Sequence, residues 1–205
     1  MPASLTYASP RFATYKTKGK TLKEVWDSIV KTGPVDPNDN KHVAFLTTTE
    51  VTFDPDRASF TGDGKIKVEK RTGWFEAKCK IKSMNVILMS YVDCPNMSVS
   101  GLSKTATKEW RRFYEKARSH EMEHVKKAVA ECEKMVKELN AMRGTGLGET
   151  ETDARNFAID DLKTKMFEKF GGSAMDDRLN KIHGAFDKST KHGEKAGAKL
   201  NTSIE

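Results

Sequence analysis

Between Lys104 and Leu139 the apolar residues Trp110, Phe113, Tyr114, Ala117, Val125, Ala128, Val129, Cys132, Met135, Val136 and Leu139 recur at the spacing of one helix face. A stripe of that length predicts one helix of many turns, and the remaining chain must supply the surfaces that cover it. His120 and His124 continue the stripe, so both histidines are expected to face inward. With the residue between them they form His120-Glu121-x-x-His124. Two imidazoles four residues apart lie one turn above each other, where they can hold one Zn²⁺ through ring nitrogens at about 2.0–2.1 Å. Glu121 follows the first histidine, so it can reach a water at the metal without itself filling the coordination sphere. This is the arrangement of a zinc peptidase, in which the metal acidifies water and the carboxylate takes the proton. The competing reading is a pair of partly buried structural histidines on an amphipathic helix.

With 205 residues the chain can bury one proper core, and a single domain is expected over residues 1–205, with a polar tail at 196–205. Charged residues make up 32% and hydrophobic residues 37%, which describes a polar globular protein. The formal net charge is +7, but Lys and Arg are mixed with Asp and Glu along the whole chain. No localised basic footprint of specific nucleic-acid binding is present. No apolar run is long enough to span a membrane, and the first twenty or so residues contain no apolar signal-peptide segment. Cys79, Cys94 and Cys132 allow at most one internal disulfide, and Cys132 lies on the helix stripe as a core residue.

Thr21-Leu22-Lys23-Glu24 reads as a capping box that starts a helix carrying Leu22, Val25, Trp26, Ile29 and Val30, ended by Gly33-Pro34. An opening strand is expected before it, with Phe12 and Tyr15 in alternation. His42 to Phe53, Lys65 to Arg71 and Trp74 to Tyr91 follow strand patterns, with turns at Asp54-Pro55, Gly62-Asp63-Gly64 and Gly73. Together they predict a small, mainly antiparallel sheet of about three to five strands between two helices, hence an α+β fold. Arg143 to Gly148, with three alternating glycines, reads as a helix end and flexible connector. Thr152 to Phe170 reads as a further amphipathic helix closed by Gly171-Gly172.

Catalytic zinc sites use three protein ligands and keep a position for water. The short-spaced H-E-x-x-H-x-x-G-x-x-H pattern fails, because Lys127 and Ala130 stand at its Gly and His positions. Glu149 is one candidate, as in enzymes whose third ligand is a glutamate on a later helix. Its glycine-rich approach makes it look more like a helix start. His183 and His192 are the others; each precedes a glycine, and a histidine in a loop beside Gly can approach a metal closely.

The ordered set of features resembles a bacterial family of predicted secreted zinc-dependent proteases, long regarded as a domain of unknown function. The matching residues are Gly19-Lys20-Thr21-Leu22 through Trp26, Gly33-Pro34, the strand pair around Cys79, and Trp110 ahead of the H-E-x-x-H. They close with Phe186-Asp187-x-x-Thr190-x-His192-Gly193. The resemblance covers roughly residues 12–195. The family's closing motif is similar to Tyr-Asp-x-x-Thr-x-His-Gly, which implies His192 as third ligand beside His120 and His124; this chain has Phe186 at the tyrosine position. If the family's hydroxyl binds an oxyanion, Tyr114 or Tyr91 is the substitute donor. Asp187 is expected to orient a ligand histidine. Glu123 is expected to face solvent.

The expectation is therefore a zincin-like, zinc-dependent peptidase acting on a peptide or protein, with Glu121 as general base. By resemblance its setting is secreted or periplasmic. The alternative is a catalytically inactive, zinc-stabilised binding or envelope protein.

Overall fold

The computed structural model describes residues 2–38, 40–60, 67–71 and 73–205. The expected turn at Gly62-Asp63-Gly64 and the first residues of the strand expected from Lys65 lie outside them. The elements run β1 (Ala3–Tyr7), β2 (Arg11–Tyr15), α1 (Leu22–Thr32), β3 (Leu46–Phe53), β4 (Ser59–Phe60), β5 (Lys67–Arg71), β6 (Trp74–Cys79) and β7 (Ile81–Pro95). They continue with α2 (Lys104–Ala141), β8 (Gly144–Gly148), α3 (Glu151–Phe170) and α4 (Ala174–Thr190). The fold is α+β, as expected. It divides into two compact units, one built from Met1–Ala8, Glu50–Leu88 and Val129–Leu179, the other from Ser9–Thr49, Met89–Ala128 and Asn180–Glu205.

β7 is the common partner of β1, β2, β3 and β4. Its pairings with β1 and with β2 are both parallel, Ala3 opposite Met84 and Arg11 opposite Tyr91. The β4–β7, β5–β6 and β6–β8 pairings are antiparallel, so the expected antiparallel character holds for these pairs, and the two parallel pairings are the departure from it. A tight hairpin forces antiparallel pairing only between neighbours in sequence, whereas β1 and β2 are far from β7 along the chain. The strand pattern expected from Trp74 to Tyr91 is two strands, β6 and β7, separated at Lys80.

In the first unit β5, β6 and β8 form an antiparallel sheet. Residues 144–148, expected as a connector, are strand β8, and α3 packs on it. The alternating glycines explain how. A Cβ on Gly144 would lie 2.0 Å from the Ala158 carbonyl oxygen, one on Gly146 2.3 Å from that of Ala154, and one on Gly148 2.5 Å from the Ala154 nitrogen. One face of β8 therefore has no side chains, and the helix backbone rests directly against it. Cys79 adds a thiol hydrogen bond to the Ala158 carbonyl at 3.0 Å. Gly146→Ala is expected to destabilise the chain by about 1–3 kcal/mol through overpacking. Gly184, whose Cβ would enter open space, is the control: Gly184→Ala in the interior of α4 should be neutral or stabilising. Equal denaturation midpoints for the two variants would contradict the close packing. The same unit buries Glu131, which pairs with Arg178; Arg178 also reaches Glu138 at 3.0 Å.

In the second unit Thr21 caps α1, its hydroxyl accepting from the Glu24 amide at 3.2 Å, while the Glu24 carboxylate accepts from the Lys20 amide at 2.6 Å. The expected capping box is thus present, with the return bond one residue earlier than its usual target. α1 buries Leu22, Val25 and Ile29 against Trp110, Phe113 and Ala117 of α2, with Phe45, Val92, Cys94 and Leu200 completing the core. Trp110 is 1% exposed and donates its indole N–H to the Met97 carbonyl at 2.9 Å. All three cysteines are buried and free, Cys132 completely buried as expected. Among the described residues, no helix is long and apolar enough to cross a membrane.

Candidate metal centre

α2 carries His120 and His124 one turn apart on its buried face, both under 10% exposed. α4 brings a carboxylate to them. Asp187 Oδ1 lies 3.0 Å from His120 Nε2 and 2.9 Å from His124 Nε2, and the two Nε2 atoms are 3.2 Å apart. Among the described residues these three form a group able to hold a metal ion. Donors about 2.0–2.1 Å from one tetrahedral centre would stand roughly 3.3 Å from each other. The observed spacing of 2.9–3.2 Å is close to that, and two imidazole nitrogens with one carboxylate oxygen are a zinc-type donor set. The residues present therefore fit a metal ion. Burial alone would raise the Asp187 carboxyl. Its hydrogen bonds to His120 and His124 outweigh that and hold it well below the usual carboxylate range.

The group is walled by Phe186, whose ring stacks on His120 with centroids 4.8 Å apart and 15° between planes. The same ring meets His124 edge-on at 4.9 Å, and the Lys127 ammonium lies 4.7 Å from its centroid. The position at which the resemblance implies tyrosine thus holds the two imidazoles by ring contact. The closing segment acts as a turn beneath them. Thr190 donates its hydroxyl to the Phe186 carbonyl at 2.9 Å, and the His192 amide donates to the Asp187 carbonyl at 2.9 Å. Lys191, His192 and Gly193 all have left-handed backbones, at φ 51°, 50° and 79°. A Cβ on Gly193 would lie 3.1 Å from His120 Cγ, a tight contact at a backbone with positive φ, so glycine suits this turn against the histidine ring.

Glu121 is 8% exposed, and its Oε2 accepts from the Thr47 hydroxyl at 2.8 Å. Burial pushes its carboxyl up, against the opposing pull of His124 and the Thr47 hydrogen bond. Glu121, His120, His124 and Asp187 line one cavity of about 530 Å³ together with apolar Phe45, Phe113, Ala117 and Leu200. His192 lines that cavity too, but it is exposed and stands outside the donor group. His183, expected in a loop, is on α4, where Gly184 is accommodated with open space at its Cβ. Its Nδ1 lies 3.0 Å from His124 Nδ1 and its Nε2 3.3 Å from the Thr49 hydroxyl. Burial, reinforced by His124, pulls it down to about 4.

Tyr114 is directed elsewhere. Its hydroxyl donates to Cys94 Sγ at 3.5 Å, and burial with that bond pushes the phenol up to about 12. The Tyr91 hydroxyl donates to Met89 Sδ at 3.7 Å. Glu149 belongs to the other unit. Glu123 pairs with Lys126 at 2.5 Å on a substantially exposed side chain, as expected. Sequence reasoning did not single out Thr47 and Thr49, although their alternation on one strand is a signal that both share a face.

No curated protein and no solved structure matches the chain. A family description, "bacterial protein of unknown function (DUF922)", matches residues 12–193. That span contains the histidine pair of α2, Asp187 of α4 and the glycine turn beneath them, and the chain belongs to this family.

Proposed function

We propose that the protein is a zincin-like, zinc-dependent peptidase with Glu121 as general base and His120, His124 and Asp187 as metal donors. The observation that carries this reading is the buried Glu121 carboxylate lining the same cavity as the two histidines and the aspartate. Zinc at such a site would supply Lewis-acid polarisation of a carbonyl and a lowered pKa of water. Glu121 accepts the proton from the attacking water at its carboxylate and returns it to the leaving amine. Burial raises this carboxyl above the usual carboxylate range, in the direction that favours holding and then returning the proton. Thr47 holds Oε2 by one hydrogen bond, which fixes the carboxylate's direction. The Phe186 ring excludes water from one side of the imidazoles. Phe45, Phe113, Ala117 and Leu200 give the cavity an apolar side suited to a substrate side chain. Three donors among the described residues is the number used by catalytic zinc sites; structural sites use four.

The test is zinc content after incubation with excess zinc and exhaustive dialysis, together with hydrolysis of labelled casein. The wild type should retain about one zinc per chain and cleave casein in a chelator-sensitive, zinc-restored manner. Asp187→Ala should lose the zinc, whereas His192→Ala should keep it. Zinc kept by the first variant and lost by the second would move the third donor to His192. A wild type that retains no zinc would overturn the metal reading altogether.

A further inference from the structure

α4 presents two side chains of its one face to α2, spaced one turn apart: Asp187 to the Nε2 side of His124, and His183 to its Nδ1 side. The two nitrogens of an imidazole point in divergent directions. A group on Nδ1 therefore cannot share an ion held at Nε2, and His183 lies outside the donor group. What it shares with His124 is a hydrogen bond of 3.0 Å between two Nδ1 atoms. Only one of the two can carry the proton. On its far side His183 Nε2 stands 3.3 Å from the Thr49 hydroxyl on β3. Thr49, His183 and His124 thus form a chain of hydrogen bonds that can run in either of two directions, because a threonine hydroxyl both donates and accepts.

We propose that His183 is a positioning residue for the metal centre, accepting the His124 Nδ1 proton and thereby presenting the His124 Nε2 lone pair to the ion. This inference rests on the zinc reading above. When His124 Nε2 serves as a donor, its proton must sit on Nδ1. His124 then donates to His183 Nδ1, and His183 in turn donates its Nε2 proton to Thr49 Oγ1. Ligand histidines usually hand this proton to a carboxylate or a backbone carbonyl. Here the acceptor is a second, neutral imidazole, itself anchored on a strand. It sits one helical turn from Asp187 on α4, so one helix supplies both a donor atom and the support for its neighbour.

The test uses the full chain and Zn²⁺ alone, with affinity measured by competition against a chromophoric chelator. His183→Asn and His183→Leu are of similar size, but only asparagine keeps a hydrogen-bond acceptor near the position of Nδ1. The leucine variant is expected to bind zinc about 10–100-fold more weakly than wild type, the usual effect of losing such a partner. The asparagine variant should recover most of that affinity. In the zinc-loaded wild type, histidine ¹⁵N chemical shifts should report His124 protonated at Nδ1 and His183 at Nε2. Equal affinities for wild type and leucine variant would overturn the inference while leaving the zinc reading intact. Equal losses in the asparagine and leucine variants would also overturn it, since acceptance at Nδ1 would not be the property that matters. A wild type that binds no zinc would overturn the underlying reading and this inference together. Thermal midpoints of the metal-free variants distinguish lost affinity from lost folding.

Discussion

Glu121→Gln is expected to retain zinc and fold while lowering casein hydrolysis by about 10²–10⁴-fold, the usual share of a general base. Glutamine keeps the volume of the side chain and an oxygen that accepts from Thr47, so the cavity wall should be preserved. It removes only the capacity to take a proton. Stability should be unchanged or slightly higher. Burial raises the Glu121 carboxyl in the folded chain, so above its unfolded value the ionised form costs stability, and a neutral amide removes that cost. A gain in stability with a loss of rate is the mark of a residue held for chemistry. The measurements are zinc content, thermal midpoint and casein cleavage on one preparation. Wild-type cleavage by the variant would end the general-base assignment.

The second large effect is on stability. Trp110→Ala should cost about 3–5 kcal/mol, as for other buried tryptophans truncated to alanine. Trp110 is almost fully buried and packs at 5.5 Å on Phe113, which in turn meets Phe45 at 6.2 Å and Trp26 at 6.3 Å, both edge-on. The variant also leaves the Met97 carbonyl without its indole donor. Urea denaturation should show a lower midpoint with an unchanged slope. A loss below about 1 kcal/mol would mean that the cavity collapses freely, contrary to the close ring packing.

The parts of this molecule written in local patterns could be read directly. The helix stripe from Lys104, the inward-facing histidines and the Thr21 cap each depend on spacing within one element, and each is present. Strand β8 is equally periodic, with glycine at every second position, but coming straight after the long helix those glycines read locally as its end and a connector. The reason for those glycines lies on α3, out of reach of any local argument. The parallel pairing of β1 and β2 with β7 is likewise a long-range register. Asp187 is expected to orient a histidine, and its carboxylate lies within hydrogen-bond distance of both His120 and His124, in a group that could hold a metal. A carboxylate on a lysine-rich polar segment normally means a solvated face, and only the packing of α4 against α2 gives it another meaning. Its four-residue spacing from His183 repeats the spacing of His120 and His124, and that repetition was the available local signal.

His124 and Asp187 are 63 residues apart in the chain, and the intervening Val129–Leu179 belongs to the other compact unit. A ribosome adding about 5–20 residues per second needs roughly 3–13 s to cover that gap. Throughout that interval the nascent protein has His120, Glu121 and His124 but not Asp187. On the proposed zinc reading, a chain that ends before α4 would therefore lack the third donor of its metal centre.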